Sequence, residues 1–338
     1  MEKVEQLLNK EYIIKLLREK VLPLYPDFTE IKSLEVHEHK KNVWGDTYHV
    51  VISYDTVFVN KAGEEESLPI FCSAHSEEPR ENVFTVLNFL WESGFGEGDL
   101  SIPHALFFSE HFNGTFYRGA EGKNLYRFIR VSNFEKIENI IPKAAAWFAK
   151  LHNLSTDKAL NFNEMNSRIK TVIPGADHIL KRIAIDYPQH SELFTKLYEK
   201  FIYEEEKFLN STKKRWLVHG DAHPENIIRM SKDKIAVIDF TDLCLTDFAR
   251  DLGTFLQQLE YMCNRKIDDN AYTEKVKKMF LDSYFKNSKE VYNKELQKRI
   301  DIYYHWTALR TATFFMMKYD PEPERGELII EKVKKIFN

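Results

Sequence analysis

Three oxygen-bearing side chains stand at a suggestive spacing between short apolar runs. Asn226 follows Asp221 by five positions, and Asp239 stands at the end of the apolar run 235–238. This spacing is typical of phosphoryl transfer, in which one Asp accepts the proton of the attacking hydroxyl while an Asn and a later Asp hold Mg²⁺ against nucleotide phosphates. We therefore predict Asp221 as the catalytic base and Asn226 with Asp239 as Mg²⁺ ligands, because this ion prefers oxygen donors.

The same loop permits a second interpretation. His219, Asp221 and His223 form an H-x-D-x-H pattern, and these residue types also bind Zn²⁺. A zinc site leaves Asn226 and Asp239 without a role, so the phosphoryl-transfer interpretation accounts for more of the segment.

This segment resembles the aminoglycoside phosphotransferase and choline kinase-like family, a branch of the protein-kinase fold. The weaker resemblance outside it runs from about residue 28 to the end. The resemblance to this family implies an α+β, two-lobed protein-kinase-like fold with a small β-rich N-lobe and a larger, mostly helical C-lobe. The matching residues are His219, Asp221, Asn226, Ile238, Asp239, Phe240, Asp251 and Leu252.

The resemblance implies an ATP- or GTP-dependent, Mg²⁺-requiring phosphotransferase that acts on a hydroxyl of a small molecule. An aminoglycoside, a macrolide, choline, homoserine or a sugar-like compound all fit this description. His219 is interpreted as a structural brace, and Asp251 as a residue that caps the next helix or anchors the loop backbone. Tyr117 to Gly119 match the hinge that recognises adenine, although an ordinary loop remains an alternative. Asp242 and Asp247 could be extra metal or substrate ligands, but a solvated loop is the preferred interpretation.

The N-terminal half departs from the family pattern at the phosphate lysine. In kinases, a Glu in the position of Glu81 pairs with a strand lysine that holds the α- and β-phosphates. The strand at 68–75 contains no lysine, and residues 62–122 hold eleven acidic side chains against two arginines. Glu81 is therefore either half of a relocated ion pair or an acid that stabilises a helix dipole.

Two hypotheses follow from the missing lysine. In the first, another cation contacts the phosphates of the nucleotide, and we predict Lys41, then Lys40, then Arg80. His75, near the end of the strand, could also contact phosphate. In the second, the chain is a pseudokinase or nucleotide-binding interaction module with little or no catalysis. The complete set of Asp221, Asn226 and Asp239 favours the first hypothesis.

The composition fits this class of protein. The chain has 338 residues, a formal charge of −4 and 14% aromatic residues, so it gives no general attraction to nucleic acid or to an anionic membrane. Its three cysteines form no paired framework, which favours a reducing cytoplasm. No uncharged apolar run is long enough to span a membrane. The oligomeric state is not indicated.

The elements that position these residues follow from hydrophobic periodicity and from turn residues. Residues 1–27 are predicted as a helical extension, 28–118 as the N-lobe, and 119–338 as the C-lobe with the catalytic loop at 219–226. The N-lobe prediction places a polar turn at 38–46 and a helix that starts at Pro79 and Arg80. Predicted helices lie at 3–20, 80–93, 140–154, 251–263, 271–285, 289–318 and 325–337, and residues 176–209 are predicted to form one or two more. Predicted strands lie at 30–37, 47–60, 67–75, 105–110 and 114–118.

Overall fold

A computed structural model describes residues 2–78, 80–157 and 159–334. The predicted helix start at Pro79 and the predicted helix end at Phe337 lie outside these residues. The helices in chain order are α1 (Glu2–Leu8), α2 (Lys10–Lys20), α3 (Glu81–Leu90), α4 (Leu125–Arg130), α5 (Phe134–His152), α6 (Ala176–Asp186), α7 (Ser191–Ser211), α8 (Ala249–Lys266), α9 (Asn270–Asn287), α10 (Lys294–Met317) and α11 (Pro323–Lys334). The strands in chain order are β1 (Phe28–Trp44), β2 (Thr47–Asn60), β3 (Glu65–His75), β4 (Leu100–Ser101), β5 (His104–Ser109), β6 (Gly114–Arg118), β7 (Lys123–Asn124), β8 (Trp216–Val218), β9 (Ile227–Arg229), β10 (Ile235–Val237) and β11 (Cys244–Thr246).

The chain divides into two compact units. The first comprises the residues up to Gly122 together with Ile228–Thr241, and the second comprises Lys123–Ile227 together with the chain from Asp242 onward. Residues 228–241 belong to the first unit because β10 pairs in parallel with β4, and Ser101 Oγ donates to the Ile235 carbonyl at 3.0 Å. The sequence-based division at residues 118 and 119 places this segment elsewhere and stays a prediction.

The first unit is built on an antiparallel sheet with strand order β1-β2-β3-β6-β5. Side chains alternate between its two faces, as the pleat requires. One face carries Val50, Ile52, Ile70 and Cys72 and is buried with the apolar residues of α1 and α2 in one core. The side chains between them, at positions such as 49, 71 and 75, lie on the opposite face and are only half-buried.

Two details of the first unit differ from the sequence prediction. The predicted turn at 38–46 is wrong, because β1 continues to Trp44 and pairs with Thr47 across a tight turn at Gly45 and Asp46. Residues 38–42 are polar and show no strand pattern, yet they form a ladder of backbone pairs with β2. The predicted helix at 3–20 is divided at Asn9, whose side chain accepts the Tyr12 N–H at 2.9 Å and caps α2.

The second unit is mostly helical, and an aromatic cluster lies at its centre. Phe148 of α5 lies 5.6 Å from Phe255 of α8, and Phe255 stacks on Phe280 of α9 at 4.3 Å between ring centroids. These rings join three helices that are distant in sequence. The short pair of β8 and β11 runs antiparallel, and the loop that follows β8 starts from this rigid base.

In the described part of the chain, no helix is both long and apolar enough to traverse a bilayer.

Candidate active site

The candidate catalytic loop begins where β8 ends. Trp216, Leu217 and Val218 are all buried, so the strand fixes the point at which the loop starts. Gly220 has a φ of +84°. A Cβ at this position would lie 2.3 Å from the Asp242 carbonyl oxygen, so the tight approach of the two backbones requires glycine.

A buried carboxylate in the first turn of α8 holds this loop. Asp251 Oδ2 accepts the N–H of His219 at 2.7 Å, and Oδ1 accepts the N–H of Gly220 at 3.0 Å. His152 Nε2 lies 3.1 Å from Asp251 Oδ2, and its Nδ1 lies 2.8 Å from the Tyr284 hydroxyl. Burial opposes ionisation, but the hydrogen bond and charge of His152 and the charge of His219 outweigh it, so the pKa of Asp251 lies below its ordinary value. Asp251 thus anchors the loop backbone through two N–H groups.

His219 is buried beneath the loop. Its ring packs edge-on against Trp147 and Phe148 of α5, at 6.1 and 6.3 Å between centroids. Its Nδ1 accepts the N–H of Asp221 at 3.3 Å, which turns the ring towards the backbone. These contacts are those of a positioning residue, and they support the predicted structural role of His219.

Asp221 and Asn226 are brought together at the end of the loop. Asn226 is buried, and its Nδ2 donates to the Asp221 carbonyl at 2.9 Å and to the Asp221 carboxylate at 3.3 Å. Since the amide nitrogen makes both of these hydrogen bonds, the amide oxygen is the atom that suits a hard cation.

The Asp221 carboxylate is held in its ionised form. Its side chain is 43% exposed, and its Oδ2 lies 3.2 Å from His223 Nε2. Partial burial favours the neutral acid, but the hydrogen bond and charge of His223 and the charge of His219 prevail, so the pKa of Asp221 lies below its ordinary value. A carboxylate that is ionised at neutral pH and partly open can accept a hydrogen bond from a hydroxyl and orient it for attack.

The zinc interpretation finds no matching arrangement. Within residues 2–78, 80–157 and 159–334, no three His, Cys, Asp or Glu side chains form a group that could hold a metal ion. His219 instead accepts the Asp221 N–H, and His223 pairs with the Asp221 carboxylate.

Asp239 lies in the first unit, two residues after the end of β10. Its φ is +67°, in the left-handed region that L-residues seldom adopt. Its Oδ1 accepts the Thr241 hydroxyl at 3.0 Å. A strained backbone at a polar residue near a strand end is a common feature of functional positions. The role of Asp239 as a metal ligand stays a prediction.

Comparison with known proteins identifies the family. A sequence profile of the phosphotransferase enzyme family matches residues 52–286, which is well over half of the chain. This chain belongs to the phosphotransferase enzyme family. No curated protein sequence matches it.

Solved structures of similar fold include kinases of small alcohols and of antibiotics. A choline/ethanolamine kinase family protein from Mesorhizobium loti has 13% identity and a TM-score of 0.58, with 96% of this chain and 94% of that chain covered. An ethanolamine kinase from Plasmodium vivax has 14% identity and a TM-score of 0.57, with coverages of 96% and 87%. Spectinomycin phosphotransferase, solved with ADP and spectinomycin, has 12% identity and a TM-score of 0.52, with coverages of 98% and 95%.

These likenesses show the fold, and they confirm the predicted two-lobed, kinase-like α+β architecture. Membership of the phosphotransferase family supports small-molecule phosphotransferase activity for this enzyme.

The predicted hinge residues lie in β6 and just after it, and β6 is flanked by β3 and β5 in the sheet of the first unit. Tyr117 stacks on Phe71 at 5.8 Å, and Phe71 stacks on His39 at 5.5 Å. The Gly119 N–H donates to the Pro69 carbonyl at 2.9 Å, so the sheet uses this donor. A Cβ at Gly119 would lie 2.3 Å from the Phe71 ring, so a side chain here would displace that ring. Nucleotide recognition by Tyr117 and Gly119 stays a prediction.

Glu81 and Lys41 are not joined in the part of the chain that the structure describes. Glu81 is the first residue of α3 and is exposed. Lys41 lies 3.1 Å from Glu38, and both side chains are more than 40% exposed. An exposed pair of this kind contributes roughly 0–1 kcal/mol, so Lys41 remains available to other partners. The predicted nucleotide contacts of Glu81 and Lys41 stay predictions.

Two residues that help to build this phosphotransferase site were missed by sequence reasoning. Arg250 is buried; it donates to the Asn166 carbonyl and, at 3.3 Å, to the Gly220 carbonyl. His152 joins α5 to the Asp251 carboxylate. Arg250 and His152 each contact a residue more than 80 positions away in the sequence, so no local pattern predicts these contacts.

The prediction of a solvated loop is wrong for Asp247. Asp247 is buried, and its Oδ1 lies 2.6 Å from Arg299 Nη1. Arg299 stands 52 positions later on α10, so its contact with Asp247 depends on the packing of that helix. Asp247 is therefore part of the framework behind the loop.

Proposed function

We propose that this phosphotransferase moves the terminal phosphoryl group of ATP or GTP to a hydroxyl of a small molecule. One observation carries the proposal: Asp221 and Asn226 are held together on a loop whose backbone is anchored by Asp251. The hydrogen bonds of this loop make it rigid, while the Asp221 carboxylate stays partly exposed. Rigid placement is the main contribution of protein groups to phosphoryl transfer.

Asp221 is the proposed general base. Its carboxylate orients the acceptor hydroxyl and takes its proton as the new O–P bond forms. His223 holds one carboxylate oxygen, and Asn226 holds the backbone carbonyl of the same residue. The geometry of the base is therefore set before any substrate binds.

Asn226 and Asp239 are the proposed ligands of Mg²⁺. The donor set fits this ion, because both side chains offer oxygen and the Asn226 nitrogen is occupied by Asp221. When bound, Mg²⁺ neutralises charge on the phosphates. Asp239 enters this assignment through its sequence spacing and its strained backbone.

The proposal names the chemical classes of the two substrates, a purine nucleoside triphosphate and a small molecule with a hydroxyl group. Solved relatives of this fold include an ADP complex of spectinomycin phosphotransferase, which supports nucleotide binding by this chain. An aminoglycoside, a macrolide, choline, homoserine or a sugar-like compound would each provide the hydroxyl. A location in the cytoplasm is also proposed, supported by three buried, free cysteines.

A pseudokinase or nucleotide-binding interaction module is the second candidate. The absence of lysine between Lys61 and Lys123 favours it, because the usual cation for the α- and β-phosphates is missing from the strand.

A two-step experiment separates the candidates. Thermal unfolding is measured with ATP and GTP, each with and without Mg²⁺, and phosphoryl transfer is then assayed on a panel of hydroxyl compounds. Mg²⁺-dependent stabilisation with turnover of one panel member is the expected result. Nucleotide stabilisation without turnover on a broad panel would favour the interaction module, and tightly held zinc without any Mg²⁺ dependence would overturn the Mg²⁺ assignment.

A further inference from the structure

Arg80 is a buried cation with an incomplete set of partners. Its side chain is only 7% exposed, and its Nε forms no hydrogen bond in the described part of the chain. Among the described residues its only ion-pair partner is Glu78, at 3.6 Å, on a side chain that is 60% exposed. A buried guanidinium costs free energy unless its donors and its charge are matched. The weak contact with Glu78 leaves much of this requirement unmet.

The backbone around Arg80 fixes the position of its side chain. The Arg80 N–H donates to the Asn113 carbonyl at 3.2 Å, and the Arg80 carbonyl accepts the Thr115 hydroxyl. Both partners belong to β6 or to the turn before it. These two hydrogen bonds fix the backbone of Arg80 against β6 immediately before α3 begins. They therefore also fix the point from which its side chain extends.

Two imidazoles stand beside this guanidinium. His49 of β2 and His75 of β3 are paired in the ladder, and their ring centroids lie 4.9 Å apart. Arg80 Nη2 lies 3.5 Å from His49 Nε2. Since Arg only donates, His49 Nε2 is the acceptor, and the neutral ring carries its proton on Nδ1.

The tautomer of His75 is fixed in the opposite sense. Its Nδ1 accepts the N–H groups of Glu77 and Glu78 at 3.2 and 3.1 Å. The proton of the neutral ring is therefore on Nε2, which becomes a donor. The cluster thus contains a guanidinium and two imidazoles whose N–H groups can donate to an anion.

A second cation lies on the same face of the sheet. Lys40 of β1 pairs with Val51 of β2, and Val51 pairs with Ser73 of β3, so these side chains share a face with His49 and His75. Burial, followed by the charges of Lys40 and Arg80 and then by His75, lowers the pKa of His49 to about 4. Positive charge from Lys40 of β1 and from Arg80, the residue before α3, therefore acts on His49.

We propose that Arg80, together with Lys40, His49 and His75, forms a phosphate-binding site on the first unit that replaces the missing strand lysine. The ligand is the polyphosphate chain of a nucleotide. An anion would meet the unmatched donor of Arg80 and the positive potential around His49, and the guanidinium suits the geometry of phosphate oxygens. The site lies on β3 and its neighbours, where the sequence lacks a lysine. The inference rests on the proposed function.

The test uses the full chain and three probes: inorganic tripolyphosphate, ADP and adenosine, each titrated by calorimetry. The variants are Arg80→Ala, Arg80→Lys and Lys40→Ala. Lys32→Ala is the matched control, because it removes one positive charge from the same sheet at an exposed pair with Glu65. We expect Arg80→Ala to weaken tripolyphosphate and ADP by roughly ten- to hundredfold, the range of a charged hydrogen bond, and to leave adenosine unchanged. Lys40→Ala should weaken both anions less, and Arg80→Lys should recover part of the loss.

Several results would overturn the site. Affinity of Arg80→Ala for tripolyphosphate within twofold of the wild type would do so, as would a wild type that binds neither tripolyphosphate nor ADP. Equal losses in Arg80→Ala and Lys32→Ala would show a general charge effect and would also reject the site.

One measurement on the wild type covers the case in which Arg80→Ala does not fold. The imidazole signals of His49 and His75 are followed by NMR as tripolyphosphate is added. Both signals should shift, and the pKa of His49 should rise from about 4, because an anion stabilises the charged ring. Unmoved signals at saturating tripolyphosphate would reject the site.

Turnover is assayed separately, so the two proposals fail in different ways. A chain that loses anion binding in Arg80→Ala but phosphorylates no acceptor contradicts the kinase and keeps the phosphate site. A chain that phosphorylates an acceptor equally well with Arg80→Ala contradicts the phosphate site and keeps the kinase.

Discussion

The two units bury charge in opposite ways. In the second unit, the Asp251 carboxylate receives two backbone N–H groups and an imidazole, so its hydrogen-bonding capacity is largely used within the protein. In the first unit, the Arg80 guanidinium has, among the described residues, one ion-pair partner at 3.6 Å and an unpartnered Nε. A buried charge with a complete set of partners serves the architecture, whereas one with an incomplete set is suited to a ligand that completes it.

The largest expected effect is on the base that the anchored loop presents. Asp221→Asn should lower kcat by roughly 10²- to 10⁴-fold, the usual contribution of a general base, while the fold is retained. The assay uses the acceptor found in the panel, and circular dichroism checks the fold. Glu225→Gln is the control, since it removes a carboxylate from an exposed position of the same loop. An Asp221→Asn enzyme as active as Glu225→Gln would remove Asp221 from the role of base.

The next effect tests whether Asp251 is structural. Asp251→Asn should lower the free energy of unfolding by about 3 kcal/mol, because an amide cannot accept from all of the donors that face this carboxylate. Urea unfolding measures the change. Asp282→Asn makes the same chemical change at an exposed pair on α9 and should cost at most about 0.5 kcal/mol. Similar losses in both variants would mean that the anchor adds nothing.

A buried acid in the second unit gives a pH-dependent prediction. Burial raises the pKa of Glu205 to about 7, so the stability that its neutral form provides is complete below the unfolded value of 4.5 and is lost as the pH rises through 7. Glu205→Gln should therefore stabilise the protein at pH 8 by roughly 2 kcal/mol and give no gain at pH 4. Urea unfolding at several pH values tests this, and a gain that does not vary with pH would contradict it.

The smallest effect has the opposite sign and belongs to the first unit. The pKa of His49 is lowered to about 4, so the unfolded chain takes up a proton that the folded chain refuses, and stability falls as the pH drops from about 6.5 to 4. His49→Gln should remove a loss on the order of 1 kcal/mol at pH 4.5, a figure reduced because the ring is only half-buried. The measurement is thermal unfolding between pH 4.5 and 7.5. Equal pH dependence in variant and wild type would contradict the lowered pKa of His49.

The same contrast explains what the sequence could predict. Asp221 and Asn226 are joined by a five-residue spacing, so their meeting is a local event that the chain encodes directly. The helices of the second unit were predicted because their apolar residues recur at helical spacing. His49 and Arg80 lie 31 positions apart, and their contact depends on the register of β2 and β3, which is set by pairing along the whole sheet.

The prediction of the β1–β2 hairpin was wrong for a related reason. Residues 38–42 are polar, so they show no alternation of the kind that predicts a strand, yet β2 provides a complete ladder for them. Prediction of Lys40 and Lys41 as turn residues therefore identified the right segment and the wrong conformation. The strand places Lys40 on the face of His49, a relation that a flexible turn would not specify.

The left-handed backbone at Asp239 lowers the stability of the fold at a position where we propose a Mg²⁺ ligand. An L-residue in this conformation costs about 1 kcal/mol relative to glycine. Selection for a sturdier protein alone would favour glycine at this position, and so would a design program that scores only the fold. If the carboxylate holds Mg²⁺, consensus or stability-guided engineering of this chain should leave position 239 untouched, even though it offers an apparent gain.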